Sequence, residues 1–68
     1  VKCSHGATVG AIDPEQLFYL RSRGITLSDA RSMLIRAFLH DVVHLLEDTR
    51  LRDSLDLAVE AWWNQRNA

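Results

Sequence analysis

Between Asp29 and Glu47 the apolar residues Ala30, Leu34, Ala37, Phe38, Val42, Leu45 and Leu46 recur at steps of three and four. Side chains three and four apart share one face of an α-helix, so this stripe predicts a long core helix. A second stripe, Asp29, Ser32, Arg36, His40, His44 and Glu47, keeps the same period and predicts one solvated face. Met33, Ile35 and Leu39 widen the apolar arc beyond what contact with a single helix would fill. The chain is therefore expected to be mainly α, with apolar surface left over for a neighbour.

Start and stop signals place two further helices beside this one. Asp13-Pro14-Glu15-Gln16 combines an amide-accepting cap, a proline suited to the first helical position and a capping-box glutamine. The helix it opens runs through Leu17, Phe18, Tyr19 and Leu20 to Arg21, Ser22 and Arg23. Gly24 follows, free to adopt the left-handed stop, and Ile25 anchors the turn. Thr26 and Asp29, or alternatively Ser28, begin the core helix. After the polar break Glu47-Asp48-Thr49, the residues Leu51, Leu55, Ala58, Val59 and Trp62 make the stripe of a third helix that folds back on the second. Trp62 and Trp63 are about 100° apart around that helix, so one of them belongs at an edge or interface.

Residues 1–12 carry no helical period. Gly6 and Gly10 interrupt a run rich in Val, Thr, Ala and Ser, which predicts extended chain with a bend. A lone strand needs a sheet to pair with. The chain also starts Val1-Lys2-Cys3 without an initiator Met, and it is expected to be a carboxy-terminal piece of a longer protein.

With 68 residues, 47% of them hydrophobic, there is room for one small domain. A chain of this size buries only about 60% of the surface its unfolded form exposes. Its single cysteine cannot form an internal disulfide, which leaves association as the usual source of added stability. A formal net charge of −1 with interspersed signs argues against a nucleic-acid partner. The apolar runs are far shorter than the roughly 20 residues that span a bilayer, so no membrane partner is expected.

Four residue patterns have chemistry to weigh. Cys3 and His5 are two apart, which in a strand puts both side chains on one face, as a possible two-ligand edge for an iron-sulfur cluster or zinc. Either centre needs about four ligands, so the pair alone is incomplete. His40 and His44 stand at helical i and i+4 spacing, a geometry that holds metals. With no third ligand at a suitable spacing, they read as surface histidines in a solvated stripe. The order helix, Gly24, turn, helix resembles a DNA-reading helix-turn-helix, but Asp29, Asp41 and Glu47 against a single Arg36 would repel phosphates. Gly6-x-x-x-Gly10 lacks the lysine and hydroxyl of a phosphate loop, and no nucleophile and base are suitably spaced, so no enzyme activity is expected.

Taken together, Val1-Lys2-Cys3-Ser4-His5-Gly6-Ala7-Thr8-Val9-Gly10 and Leu17-Phe18-Tyr19-Leu20-Arg21-Ser22-Arg23-Gly24-Ile25 resemble the SufB/SufD family of iron-sulfur cluster assembly proteins. Ser4 to Thr8 is similar to the SufD branch. The likeness is close over about the first 25 positions, looser through the core helix, and fades after Leu46. It implies that residues 1–12 are the last strand and exit of an upstream right-handed parallel β-helix. Residues 13–68 would then be a carboxy-terminal bundle of about three helices. It also implies a non-catalytic scaffold in the cytoplasm, or in the plastid of a plant or alga. SufB-like and SufC-like proteins would be its partners, with the SufC ATPase docking on the helices and pulling on them when it dimerises. An iron-sulfur cluster would be bound transiently, only in the full complex and not by the isolated chain. His5 matches the family histidine at the SufB-SufD interface and would be a metal ligand there. Cys3 would be a second cofactor-binding residue, typical of the SufB branch but not constant in the SufD branch. Two other readings compete: a helical module that self-associates without any metal role, and a small zinc protein using Cys3, His5, His40 and His44.

Overall fold

A computed structural model of the chain describes residues 12–67. Three helices and no strand occur among them: α1 (Pro14–Ser22), α2 (Leu27–Val43) and α3 (Thr49–Arg66). Ile12 has no regular structure. The rest of the expected strand and exit, with Cys3 and His5, lies outside the described residues.

The first helix starts and stops where its sequence signals stand. Asp13 is extended and its carboxylate accepts from the Glu15 amide at 2.9 Å, with Pro14 in the first turn, where its missing N–H leaves no intrahelical acceptor unpaired. The Asp13 carboxylate thus meets the amide of Glu15 rather than that of Gln16, which the anticipated capping box would use. At the other end Gly24 has φ 90°. The Gly24 amide donates to the Arg21 carbonyl at 2.9 Å and the Ile25 amide to the Leu20 carbonyl at 3.2 Å, the paired closure of a Schellman turn. Ile25 thus anchors the turn through its backbone, and its carbonyl accepts from the Arg21 guanidinium at 3.2 Å.

Thr26 decides where α2 begins. Its hydroxyl accepts from the Asp29 amide at 3.1 Å and its carbonyl from the Ala30 amide at 2.8 Å, which places Ser28 inside the helix. The far end departs from the apolar stripe. The helix stops at Val43, and the Leu45 and Leu46 amides donate to Val42 and Val43, three residues back rather than four. This tighter turn swings Leu45 out to 80% exposure, so Leu45 is not a core residue. The physical reason lies just downstream. Asp48 must be extended to cap α3, accepting from the Arg50 and Leu51 amides at 3.0 and 3.1 Å, and the helix has to end before it.

The chain divides between Leu34 and Ile35 into two units. In the first, Ala30 and Ser32 are buried, Leu17, Leu20, Ile25, Met33 and Leu34 are half-buried, and Phe18 and Tyr19 are exposed. Burial of Ser32 corrects its placement on the solvated face. A helical period assigns a residue to a face, but not what covers that face. No buried side-chain polar atom lacks a partner among the described residues.

In the second unit the latter half of α2 and α3 form an antiparallel hairpin joined through residues 44–48. Val43 is buried, and Val59 and Trp63 are half-buried. Leu51, Leu55, Ala58 and Trp62, four of the five residues expected to fold back on α2, are exposed, as is Leu57. The rotation of α3 therefore differs from that implied by its apolar stripe. The side that meets α2 carries Asp56 and Glu60.

Candidate functional site

Arg36 and His40 are one helical turn apart on α2, His44 follows four residues later just past its end, and Asp56, Glu60 and Trp63 are spaced likewise on α3. In an antiparallel hairpin, steps up one helix match steps down the other. Arg36 faces Glu60, and His40 faces both Asp56 and Glu60. The Arg36 guanidinium donates to both Glu60 oxygens, from Nε at 2.9 Å and from Nη2 at 2.6 Å. Its other side stacks on Trp63, 4.6 Å from the ring centroid. His40 Nδ1 lies 2.7 Å from Asp56 Oδ1 and His40 Nε2 lies 2.5 Å from Glu60 Oε2. With a carboxylate at each ring nitrogen, the imidazolium form donates both ways. His44 Nε2 lies 2.8 Å from the other Asp56 oxygen, and the two imidazoles meet edge to face at 6.3 Å.

The electrostatics follow from these contacts. Hydrogen bonds to Glu60 first, and to Asp56 second, hold His40 above its ordinary value of 6.5. The Arg36 guanidinium, followed by His40, brings the Glu60 carboxyl down from 4.5 to about 2. His40 and then His44 lower Asp56. The side chains of Arg36, His40, Asp56 and Glu60 are all partly exposed, between 26% and 37%. Ion pairs so open to water add little stability, but their short, directional bonds set the rotation of α3 against α2.

The sequence reading therefore needs two corrections here. Arg36 and His40 are half-covered by the acids of α3 rather than fully solvated, whereas His44 keeps the exposure expected of it. The His40–His44 pair also does have a third potential ligand: one donor atom each from His40, His44 and Asp56 lie within 4.8 Å of one another. The available signal was the i, i+4 spacing of Asp56 and Glu60, which mirrors His40 and His44 across the hairpin. The more prominent leucines of α3 obscured it.

Cys3 and His5 lie outside the described residues, so the structure neither joins them to this cluster nor separates them from it. Among the described residues, no helix is long and apolar enough to cross a membrane.

Comparison with known proteins reaches the cluster unevenly: a family model stops within α2, whereas a relative matched over 60 of the 68 residues takes in the whole cluster. A family model described as SUF system FeS cluster assembly, SufBD core domain, matches residues 1–38. The chain is 56% identical over 55 residues to the iron-sulfur cluster assembly protein SufD of Escherichia coli (strain K12), covering 81% of this chain and 13% of that protein. It is 43% identical over 53 residues to a chloroplastic protein, ABCI7, of Arabidopsis thaliana, covering 78% and 11%. It is 40% identical over 60 residues to the SufD of Bacillus subtilis (strain 168), covering 88% and 14%. The chain thus spans about one seventh or less of the length of these relatives. No solved structure matches it.

Proposed function

The chain belongs to the SufBD family of SUF-system iron-sulfur cluster assembly, and from that premise we propose that it serves a non-catalytic scaffold of the SufD type. The observation that carries this reading is the family match over residues 1–38, which takes in Cys3-Ser4-His5 as well as α1 and most of α2. In this reading residues 1–12 leave an upstream parallel β-helix and residues 13–68 are the helical carboxy-terminal domain. His5 supplies an imidazole ligand to a transient cluster at the contact with a SufB-like partner, with Cys3 beside it. The compartment is the bacterial cytoplasm, or a plastid as the name of the Arabidopsis relative suggests.

The test is iron and acid-labile sulfide content of the anaerobically purified complex with SufB-like and SufC-like proteins, at full natural length, with His5 or His5→Ala. Loss of cluster from an intact complex is the expected result. Normal cluster content would remove His5 from the assembly site and leave the chain contributing only through its helices.

The helices are assigned to docking of a SufC-like ATPase, and the exposed residues of α3 favour this: Leu51, Leu55, Ala58 and Trp62 make an apolar face that α2 leaves uncovered. Leu55→Asp abolishes capture of the ATPase if that face is used, and unchanged capture would count against it. The same exposed face supports a second reading, self-association, for which light scattering of the protein alone would give a dimer that Leu55→Asp dissociates.

A further inference from the structure

The cluster on α2 and α3 is not absorbed by the scaffold reading. His40, His44, Asp56 and Glu60 all lie beyond the 38 residues of the family match. We propose that His40, His44 and Asp56 form a binding site for a divalent transition cation of the zinc class, with Glu60 and Arg36 as its outer support. Two imidazoles and one carboxylate are a donor set suited to such a cation. One imidazole comes from the last turn of α2 and the other from the residue just past its end, whose amide still donates to the His40 carbonyl, and the carboxylate comes from the facing helix.

Three features distinguish this arrangement from a chance surface group. The donor atoms already lie within 4.8 Å of one another. Tetrahedral coordination at about 2.0–2.1 Å places ligand atoms about 3.3 Å apart, so convergence requires side-chain rotation, and His44, with 60% of its side chain exposed, has room to turn. Secondly, Asp56 directs one oxygen to each imidazole, at 2.7 and 2.8 Å, so one group already bridges the other two.

The third feature is the outer support. A metal-bound histidine usually donates its remaining N–H to a carboxylate, which sets the tautomer and raises the basicity of the ligating nitrogen. His40 Nε2 is in that position against Glu60, leaving Nδ1 toward Asp56 and the centre of the cluster. Glu60 is itself held by both bonds from Arg36. On binding, the cation replaces the proton at His40 Nδ1, which leaves to solvent; His44 ligates through Nε2 as the neutral tautomer that carries its proton on Nδ1, water completes the coordination, and no redox step is involved.

The inference does not depend on the scaffold function, and its test keeps the two apart. Cobalt(II) is titrated into the metal-free protein at full natural length, with visible absorption as the readout and zinc as the competitor. Four variants are compared: His44→Gln, Asp56→Asn, Glu60→Gln, and a double variant with Cys3→Ser and His5→Ala. The expected result is an intense tetrahedral-type band that zinc abolishes at one equivalent. His44→Gln and Asp56→Asn lose it, whereas the Cys3/His5 variant retains it. Glu60→Gln, which leaves all three ligands in place, weakens binding by about 10–100-fold. The His44 side chain is exposed, so His44→Gln keeps the fold and isolates the ligand role, checked by unchanged circular dichroism. Absence of the band in the wild type, a band that survives both His44→Gln and Asp56→Asn, or a band lost only with Cys3 and His5 would each overturn the proposal.

Discussion

Gly24 is where a single methyl group tests whether the turn between α1 and α2 depends on backbone geometry. Its φ of 90° is a conformation that L side chains rarely adopt, and a Cβ built there meets no heavy atom within 4 Å. Gly24→Ala therefore adds no clash, and its cost is backbone strain alone, about 1–2 kcal/mol for an L residue in the left-handed region. Against this, alanine restricts the unfolded chain and returns about 0.4–1 kcal/mol. The net loss is about 1 kcal/mol, which raises the local opening constant about fivefold. The loss falls on the two bonds that close the turn, Gly24 to Arg21 and Ile25 to Leu20. Native-state hydrogen exchange of the residue 24 and 25 amides reads it directly, and exchange about fivefold faster at both is the expected result. Gly24→Asn should lose less, since asparagine tolerates the left-handed region better than alanine. Unchanged or slower exchange in Gly24→Ala would refute the reasoning, as would equal losses for alanine and asparagine.

The ion-pair ladder of the second unit gives two further predictions. In the metal-free protein His40 titrates above 6.5, so the stability its charge contributes is complete below that value and is lost as pH rises through the folded midpoint. Asp56 and Glu60 are shifted the other way from 3.8 and 4.5, so their contribution is complete above those values and is lost as pH falls, for Glu60 toward about 2. The hairpin is thus most stable between the two ranges. An NMR titration of the His40 ring checks this: Glu60→Gln should lower the midpoint more than Asp56→Asn, and a wild-type midpoint at or below 6.5 would contradict the geometry. Separately, Arg36→Lys keeps the charge but loses the two-pronged bond to Glu60 and the stacking on Trp63. In a Trp62→Phe background the Trp63 emission should shift to the red, and an unshifted spectrum would show that Arg36 does not cover the ring.

The start and stop of α1 and the start of α2 were legible in the sequence because caps are local chemistry, whereas the stop of α2 at Val43 was not foreseen. Asp13, Gly24 and Thr26 each act on backbone groups within a few residues, so their roles do not depend on any distant part of the chain; Asp48, read only as part of a polar break, proved to be a cap of the same kind. The family resemblance was legible for a similar reason, since it rests on contiguous residues, and the match over 1–38 agrees with it.

Only the tertiary structure decided how α3 rotates against α2. The leucines of α3 defined a stripe, but an apolar face turns inward only if something apolar meets it. In this hairpin Asp56 and Glu60 find Arg36, His40 and His44 instead. Short charge-assisted bonds are directional and hydrophobic contact is not, so the ladder sets the register and Leu51, Leu55 and Trp62 are left outside. The same rotation brought Asp56 to the two histidines across the hairpin. Spacing along one helix determines which side chains share a face, but only the packing of a second helix determines what that face meets.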